Sequence, residues 1–292
     1  MYSLKEGNMI SFNRSNKPTI IREQETIKTS DWVKCPSCKS ITYQKQLEEN
    51  MQICPKCNFY FKMNAKQRIS LLLDEGTFQE INPDLKSFDI LGFEDTKSYA
   101  KRLEDSMQKT SLNEAILTGK ASVENNPLAI GIMEFEFVGG SMGVVVGEKI
   151  VRLAEYAHKE NLPLLIISSS GGARMQEGMF SLLQMARTSG AIGRFQQNNG
   201  LYISLLTNPT TGGVSASFAF LGDIILAEPG ATIGFAGARV IEQTTRQKLP
   251  PKFQTSEFIL DHGQIDKIVE RKHIRRLLGR ILTFYKRGSI YS

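Results

Sequence analysis

Leu162-Pro-Leu-Leu-Ile-Ile-Ser-Ser-Ser-Gly171-Gly172-Ala-Arg-Met-Gln-Glu177 and Leu201-Tyr-Ile-Ser-Leu-Leu-Thr-Asn-Pro-Thr-Thr-Gly212-Gly213-Val-Ser-Ala-Ser217 carry one design twice. In each, an apolar run ends in small polar residues, meets a Gly-Gly pair and continues into a helix-like segment. Glycine lets backbone approach a ligand closely, and a helix start leaves N–H groups without intrahelical partners. Two such turns side by side form a cradle for a developing oxyanion, which points to acyl-thioester chemistry.

Outward from this pair, apolar segments alternate with helical ones. Ala115 to Ala121 and Leu128 to Val138 read as strands, with Asn125-Asn126-Pro127 as the turn between them. Gly147 to His158 places Ile150, Leu153, Ala154 and Ala157 on one helical face, and a second helix is expected over Met179 to Gln197. Asp223 to Glu228 is a further strand, and Ala231 to Gly237 another glycine-rich turn. Near the end, Ile274, Leu277, Leu278, Ile281, Leu282 and Tyr285 form one apolar stripe, which packs on the body or on a partner subunit. Strands alternating with helices indicate an α/β fold. Short helices are expected around Ala65 to Leu73 and Tyr99 to Met107, and residues 1–30 read as a flexible polar segment.

All four cysteines fall in one pattern, Cys35-Pro-Ser-Cys38 and Cys54-Pro-Lys-Cys57, with fifteen residues between the knuckles. This spacing matches a four-thiolate zinc ribbon over residues 31–61, and the lysines around it favour thiolate over thiol. Four cysteines leave no open coordination position, so this Zn2+ is structural, and no cysteine remains as a nucleophile. The chain of 292 residues is 41% hydrophobic, which suits a globular protein with a sizeable core. Apolar runs such as Leu162 to Ile167 fall far short of the roughly 20 residues that span a bilayer. The first thirty residues lack a secretory core and carry Glu6, Glu23 and Glu25, unlike an acid-poor transit peptide. A net charge of +6, concentrated near the ribbon and in residues 271–287, suits an anionic partner, with nucleic acid a secondary possibility.

Several signatures are absent or incomplete. Neither GxxxxGK[ST] nor GxGxxG occurs. Gly139-Gly-Ser141-Met-Gly143 satisfies the G-x-S-x-G nucleophile elbow, but Val144-Val145-Val146 follows, and β-branched residues fit a helix start poorly. A glycine-rich turn is the better account. None of the three histidines, His158, His262 and His273, sits beside a serine, carboxylate or glycine turn in a pattern that implies a role, which points to catalysis by backbone donors.

Ser170-Gly-Gly-Ala-Arg-Met-Gln-Glu-Gly178, Pro209-Thr-Thr-Gly-Gly-Val-Ser-Ala-Ser217, Gly234-Phe-Ala-Gly237 and Val240-Ile-Glu-Gln243, with the cysteine ribbon, closely resemble the carboxyltransferase β subunits of multisubunit acetyl-CoA carboxylase. The resemblance covers about residues 31–285. It implies a crotonase-like domain of repeated ββα units in a superhelix over residues 62–292, with the ribbon as a cap. It also implies an α subunit partner in an α2β2 assembly, and biotin on a separate carrier protein charged by a biotin carboxylase. The activity implied is carboxyl transfer from carboxybiotin to acetyl-CoA, giving malonyl-CoA for fatty acid synthesis. The biotin ureido nitrogen can itself take the methyl proton, so no protein histidine is needed. By motif, Gly212 and Gly213 correspond to the oxyanion hole, and Gly171 and Gly172 to the acyl-thioester pocket. Arg174 and Arg239 become candidates for CoA phosphates or the partner subunit. The chain is also similar to plastid-encoded algal copies, which implies the plastid stroma, with bacterial cytoplasm as the alternative.

Overall fold

Residues Leu164 to Ile167 are apolar at every position because the strand they form is covered on both faces. Leu164 and Ile166 join one hydrophobic core, while Leu165 and Ile167 join another. The computed structural model describes residues 31–288, so the expected flexible segment 1–30 lies outside the described residues.

The ribbon comprises β1 (Trp32–Lys34), β2 (Ile41–Tyr43) and α1 (Gln44–Glu49). Then follow α2 (Ala65–Leu72), β3 (Gln79–Glu80), α3 (Tyr99–Thr110), β4 (Ile116–Val123) and β5 (Asn126–Met133). Next come α4 (Val144–Lys159), β6 (Leu164–Ser170), α5 (Met179–Gln197), β7 (Tyr202–Thr211) and α6 (Gly212–Ser215). The chain continues through β8 (Ile224–Ala227), β9 (Ile233–Gly234), α7 (Ala238–Thr245), α8 (Ser256–Asp261), β10 (Lys267–Ile268) and α9 (Arg271–Gly288). The large sheet runs in the order β10-β8-β7-β6-β5-β4-β3, with β9 added beside β7. Its strands are parallel from β5 to β10, and β4 and β3 are antiparallel. Residues of α4 and α5 fill the core on one face, and residues of α2 and α9 fill the other.

Two local expectations are corrected. The β4–β5 turn is Glu124-Asn125, both with positive φ, as a two-residue hairpin requires; Asn126 and Pro127 already belong to β5. Asp74 accepts both turn amides, Glu124 N–H at 3.0 Å and Asn125 N–H at 2.8 Å. Helix α4 starts at Val144, in the β-branched run that argued against a helix start there. The Val144 N–H donates to Glu177 Oε2 at 2.6 Å, so a carboxylate from 33 residues away caps this helix.

The ribbon is tied to the body by a buried triad. Glu228, at the end of β8, accepts from Arg68 Nη1 and Arg271 Nε at 2.9 Å each, and from Arg271 Nη2 at 2.7 Å. Arg271 also donates to the ribbon carbonyls of Met51 at 2.7 Å and of Gln52 and Phe61 at 3.2 Å. Burial works against the Glu228 carboxylate, but the Arg68 charge and the Arg271 hydrogen bonds override it and bring its pKa down to about 2.

A folded value below the ordinary 4.5 means the stabilisation is complete above about pH 4.5 and is lost as pH falls toward about 2. Glu228→Gln is expected to cost about 3–5 kcal/mol at neutral pH. Urea melts of this variant should also lose less stability than the parent between about pH 4.5 and 2.

Candidate active site and metal centre

The two Gly-Gly turns, 41 residues apart, meet backbone to backbone at the carboxyl ends of β6 and β7. A Cβ on Gly172 would lie 3.1 Å from Gly212 Cα, and one on Gly212 would lie 3.0 Å from Gly172 Cα. Both residues are left-handed, with φ of +123° and +62°. Any side chain at either position would therefore force the turns apart.

The two copies are not equivalent. Gly212 opens α6 directly, whereas Gly171-Gly172 leads into an extended Ala173, a 3₁₀ turn over Met175–Glu177 and only then α5. Their amides differ as well. Gly171 N–H donates to Gly139 O at 2.9 Å, Gly172 N–H to Ser170 Oγ at 3.0 Å, and Gly212 N–H to Phe235 O at 2.9 Å. Among the described residues, no acceptor takes up the amides of Ala173 or Gly213. These two lie together: a Cβ on Gly213 would be 3.3 Å from Ala173 N. Sequence reading singled out Gly213 but not Ala173, whose free amide depends on a neighbouring bridge.

That bridge joins Ala173 to Met142. Met142 N–H donates to Gly172 O at 2.8 Å, and Arg174 N–H donates to Met142 O at 2.9 Å, so the Ala173 amide faces away from Met142. The side chain of Arg174 then fixes the turn. It is fully buried and pairs with the equally buried Glu114 at 2.6 Å. It also donates to Ser141 Oγ at 3.1 Å, Ser141 O at 2.8 Å, Ser87 Oγ at 3.0 Å and Tyr99 Oη at 3.1 Å. Tyr99 in turn donates to Glu177 Oε1 at 2.5 Å. Burial raises the Glu114 pKa, but the Arg174 charge and its hydrogen bonds outweigh this and hold the carboxyl below the usual range. Burial, with the Glu177 carboxylate beside it, pushes the Tyr99 hydroxyl well above its ordinary value.

This placement corrects one expectation: Arg174 has no exposed surface and cannot meet a CoA phosphate. The side chain of Arg239 lies outside the described residues. Ser141 of the elbow motif is also buried, donating to Val138 O at 2.8 Å while Arg174 holds its oxygen. Among the described residues, no histidine bonds to it. The hydrolase reading therefore fails on the serine's partners, although the helix it requires does follow.

The four cysteines are free thiols whose sulfurs all lie within 4.8 Å of one another. Cys35 and Cys57 are 3.7 Å apart, and Cys38 and Cys54 3.8 Å apart. A tetrahedron with Zn–S bonds of about 2.3 Å has edges of about 3.8 Å, so the donor set fits one zinc ion. A cavity of about 1170 Å³ lies at the other ends of the strands beside Leu162, Gly200, Leu201 and Phe284, far from the glycine turns. No helix among the described residues is long and apolar enough to cross a membrane.

Three outcomes test this geometry. Glu114→Ala should strand the Arg174 charge and lower stability by about 3–5 kcal/mol in urea melts. Arg187→Ala, which breaks a surface pair with Glu148, should cost less than about 1 kcal/mol. Metal analysis should give one zinc per chain, falling to background in Cys54→Ser.

Comparison with known proteins places this geometry. The family model described as carboxyl transferase domain matches residues 62–254, and that of the acetyl-CoA carboxylase zinc finger domain matches residues 32–57. The chain is 52% identical over 254 residues to the acetyl-coenzyme A carboxylase carboxyl transferase subunit beta of Prochlorococcus marinus (strain MIT 9215), covering 87% of each chain. It is 51% identical over 269 residues to the same subunit of Trichodesmium erythraeum (strain IMS101), covering 92% of this chain and 82% of that one. Among solved structures, it resembles a transcarboxylase 12S chain with hydrolysed methylmalonyl-coenzyme A bound, at 25% identity and a TM-score of 0.65, over 76% of this chain and 41% of that one. A Pseudomonas malonate decarboxylase hetero-dimer shares the fold, at 23% identity and a TM-score of 0.58, over 77% of this chain and 86% of that one. With its crotonase-like body and four-cysteine ribbon, the chain belongs to the family of acetyl-CoA carboxylase carboxyl transferase β subunits.

Proposed function

We propose that this chain is the β half of a carboxyltransferase that moves a carboxyl group from biotin, borne on a separate carrier protein, to acetyl-CoA, giving malonyl-CoA. The observation that carries the mechanism is the pair of unclaimed amides, Ala173 and Gly213, where the two glycine turns meet. The thioester oxygen of acetyl-CoA binds between them. The methyl group loses a proton, which the biotin ureido nitrogen would take up as its bond to the carboxyl group breaks; negative charge moves onto the thioester oxygen, and the enolate carbon takes the released carboxyl group. Biotin supplies that carboxyl group when its carrier brings it to the site. Donors fixed before the charge develops need no reorganisation, and each contributes about 3 kcal/mol to such a step.

In this reading Gly213 is a donor, whereas Gly212, Gly171 and Gly172 serve by lacking side chains, so that the turns touch and the thioester reaches them. A homologous α subunit completes the site from the biotin side in an α2β2 assembly, with a biotin carboxylase charging the carrier. Residues 31–61 form the cap and residues 62–292 the catalytic body. The abundance of Asn, Ile and Lys supports a plastid-encoded copy working in the stroma, and the likeness to cyanobacterial subunits supports the alternative of bacterial cytoplasm.

The test is the reverse reaction. Mixed with a cognate α subunit, free biotin and malonyl-CoA, the chain should release acetyl-CoA, and a zero rate with every cognate α subunit rejects the proposal. A side chain at position 213 would crowd Ala173 and Met185 and cover the Ala173 amide. Gly213→Val is therefore expected to lower kcat by about 10²-fold or more while assembly with the α subunit persists. Unchanged turnover in that variant would move the oxyanion elsewhere.

A further inference from the structure

Arg271 lies on α9, in contact with neither glycine turn, yet its bonds lead from the ribbon to one of them. The residue is 2% exposed, and its guanidinium makes five hydrogen bonds: two to the Glu228 carboxylate and three to the carbonyls of Met51, Gln52 and Phe61. Those carbonyls flank the second cysteine knuckle, whose own turn is closed by Cys54 N–H to Phe59 O at 2.8 Å. The folded ribbon therefore fixes where Arg271 sits, and Arg271 with Arg68 fixes Glu228.

Glu228 opens the strap that reaches Gly212. Its N–H donates to Leu206 O at 3.0 Å, and its carbonyl accepts from Ala231 N–H at 3.3 Å. Thr232 O then accepts from Thr210 N–H at 2.9 Å, and β9 pairs with β7 at Thr210 and Thr211. Phe235 O accepts the Gly212 N–H at 2.9 Å. This last bond leaves Gly213 as the turn's open donor. The other turn is held by the Arg174–Glu114 pair, which shares no residue with the path from Arg271 through Glu228 to Gly212.

We infer that Arg271 is a positioning residue: through Glu228 and the strap 228–235, it couples the zinc-folded ribbon to the Gly212-Gly213 turn. The inference rests on the reading of that turn as the thioester site only for its effect on turnover. The coupling itself is a property of the chain and can be read without activity.

The experiment compares the zinc-loaded chain, in complex with the α subunit, with Arg271→Met. Arg271→Lys, which keeps the charge but not the fork, serves as the conservative variant. Deuterium uptake is followed in peptides covering 206–217, 228–235 and 164–178. Arg271→Met should keep its zinc and speed exchange at least about tenfold in the first two regions but not in 164–178, with partial recovery in Arg271→Lys. Glu114→Gln should give the opposite pattern. In the reverse assay, Arg271→Met should lose kcat on the order of 10- to 100-fold with KM for malonyl-CoA within about twofold. Zinc removal from the parent by a chelator should reproduce the same exchange pattern, which keeps the test open if Arg271→Met does not fold. Unchanged exchange at 206–217, or equal loosening of both turns, overturns the coupling. A parent that shows the exchange pattern but no turnover would instead reject the carboxyltransferase reading and leave the coupling standing.

Discussion

A guanidinium without solvent has to be surrounded by acceptors, and Arg174 imposes that requirement at the centre of this fold. Its charge is answered by Glu114, 60 residues earlier in the chain, and its remaining donors by Ser87, Tyr99 and Ser141. Removing either member of such a pair leaves an uncompensated charge, so the arrangement is close to all-or-none. The start of β4, the connector before α3, α3 itself and the turn before α4 are thereby drawn to one point. The backbone of Ala173 and Arg174 is held beside Met142 as a result, and the cradle takes its shape from that bridge.

The site works by geometry of backbone rather than by titrating side chains. Its two open amides belong to residues of little or no side chain, and the polar side chains nearby are occupied with one another. Buried ion pairs contribute little net stability compared with apolar packing, but they penalise any other arrangement of the same segments. Two such clusters stand behind the glycine turns among the described residues, the Arg68–Glu228–Arg271 triad and the Arg174–Glu114 pair, and they share no residue. The turns can therefore touch at Gly172 and Gly212 while being anchored independently.

Much of this was legible in the sequence. The apolar run before Gly171 was legible as one of the alternating strands, Met179–Gln197 as a helix, and the cysteine spacing as a metal ribbon, because each signal is local. The two Gly-Gly pairs were legible as turns standing side by side, though not the backbone contact of Gly172 with Gly212. The start of α4 at Val144 was misread because its cap, Glu177, comes from another segment, and no local pattern reveals a distant carboxylate. Arg174 was misread for the same reason: an arginine beside a glycine turn looks like a phosphate ligand until Glu114 is found against it. The Ala173 amide gave no sequence signal at all, since whether it is open depends on which way the Met142 bridge runs.

The seat of the ribbon has a consequence for the order of assembly. The ribbon carries all four of its metal ligands within residues 35–57, so metal binding can organise it while the rest of the chain is still being translated. Its anchor, Arg271, lies 219 residues beyond Gln52. Until α9 has been made, a finished ribbon must travel as a tethered bead, with the carbonyls of Met51, Gln52 and Phe61 still facing water. Docking of the ribbon therefore waits on α9, and a docked ribbon is a mark of a chain whose synthesis has passed that helix.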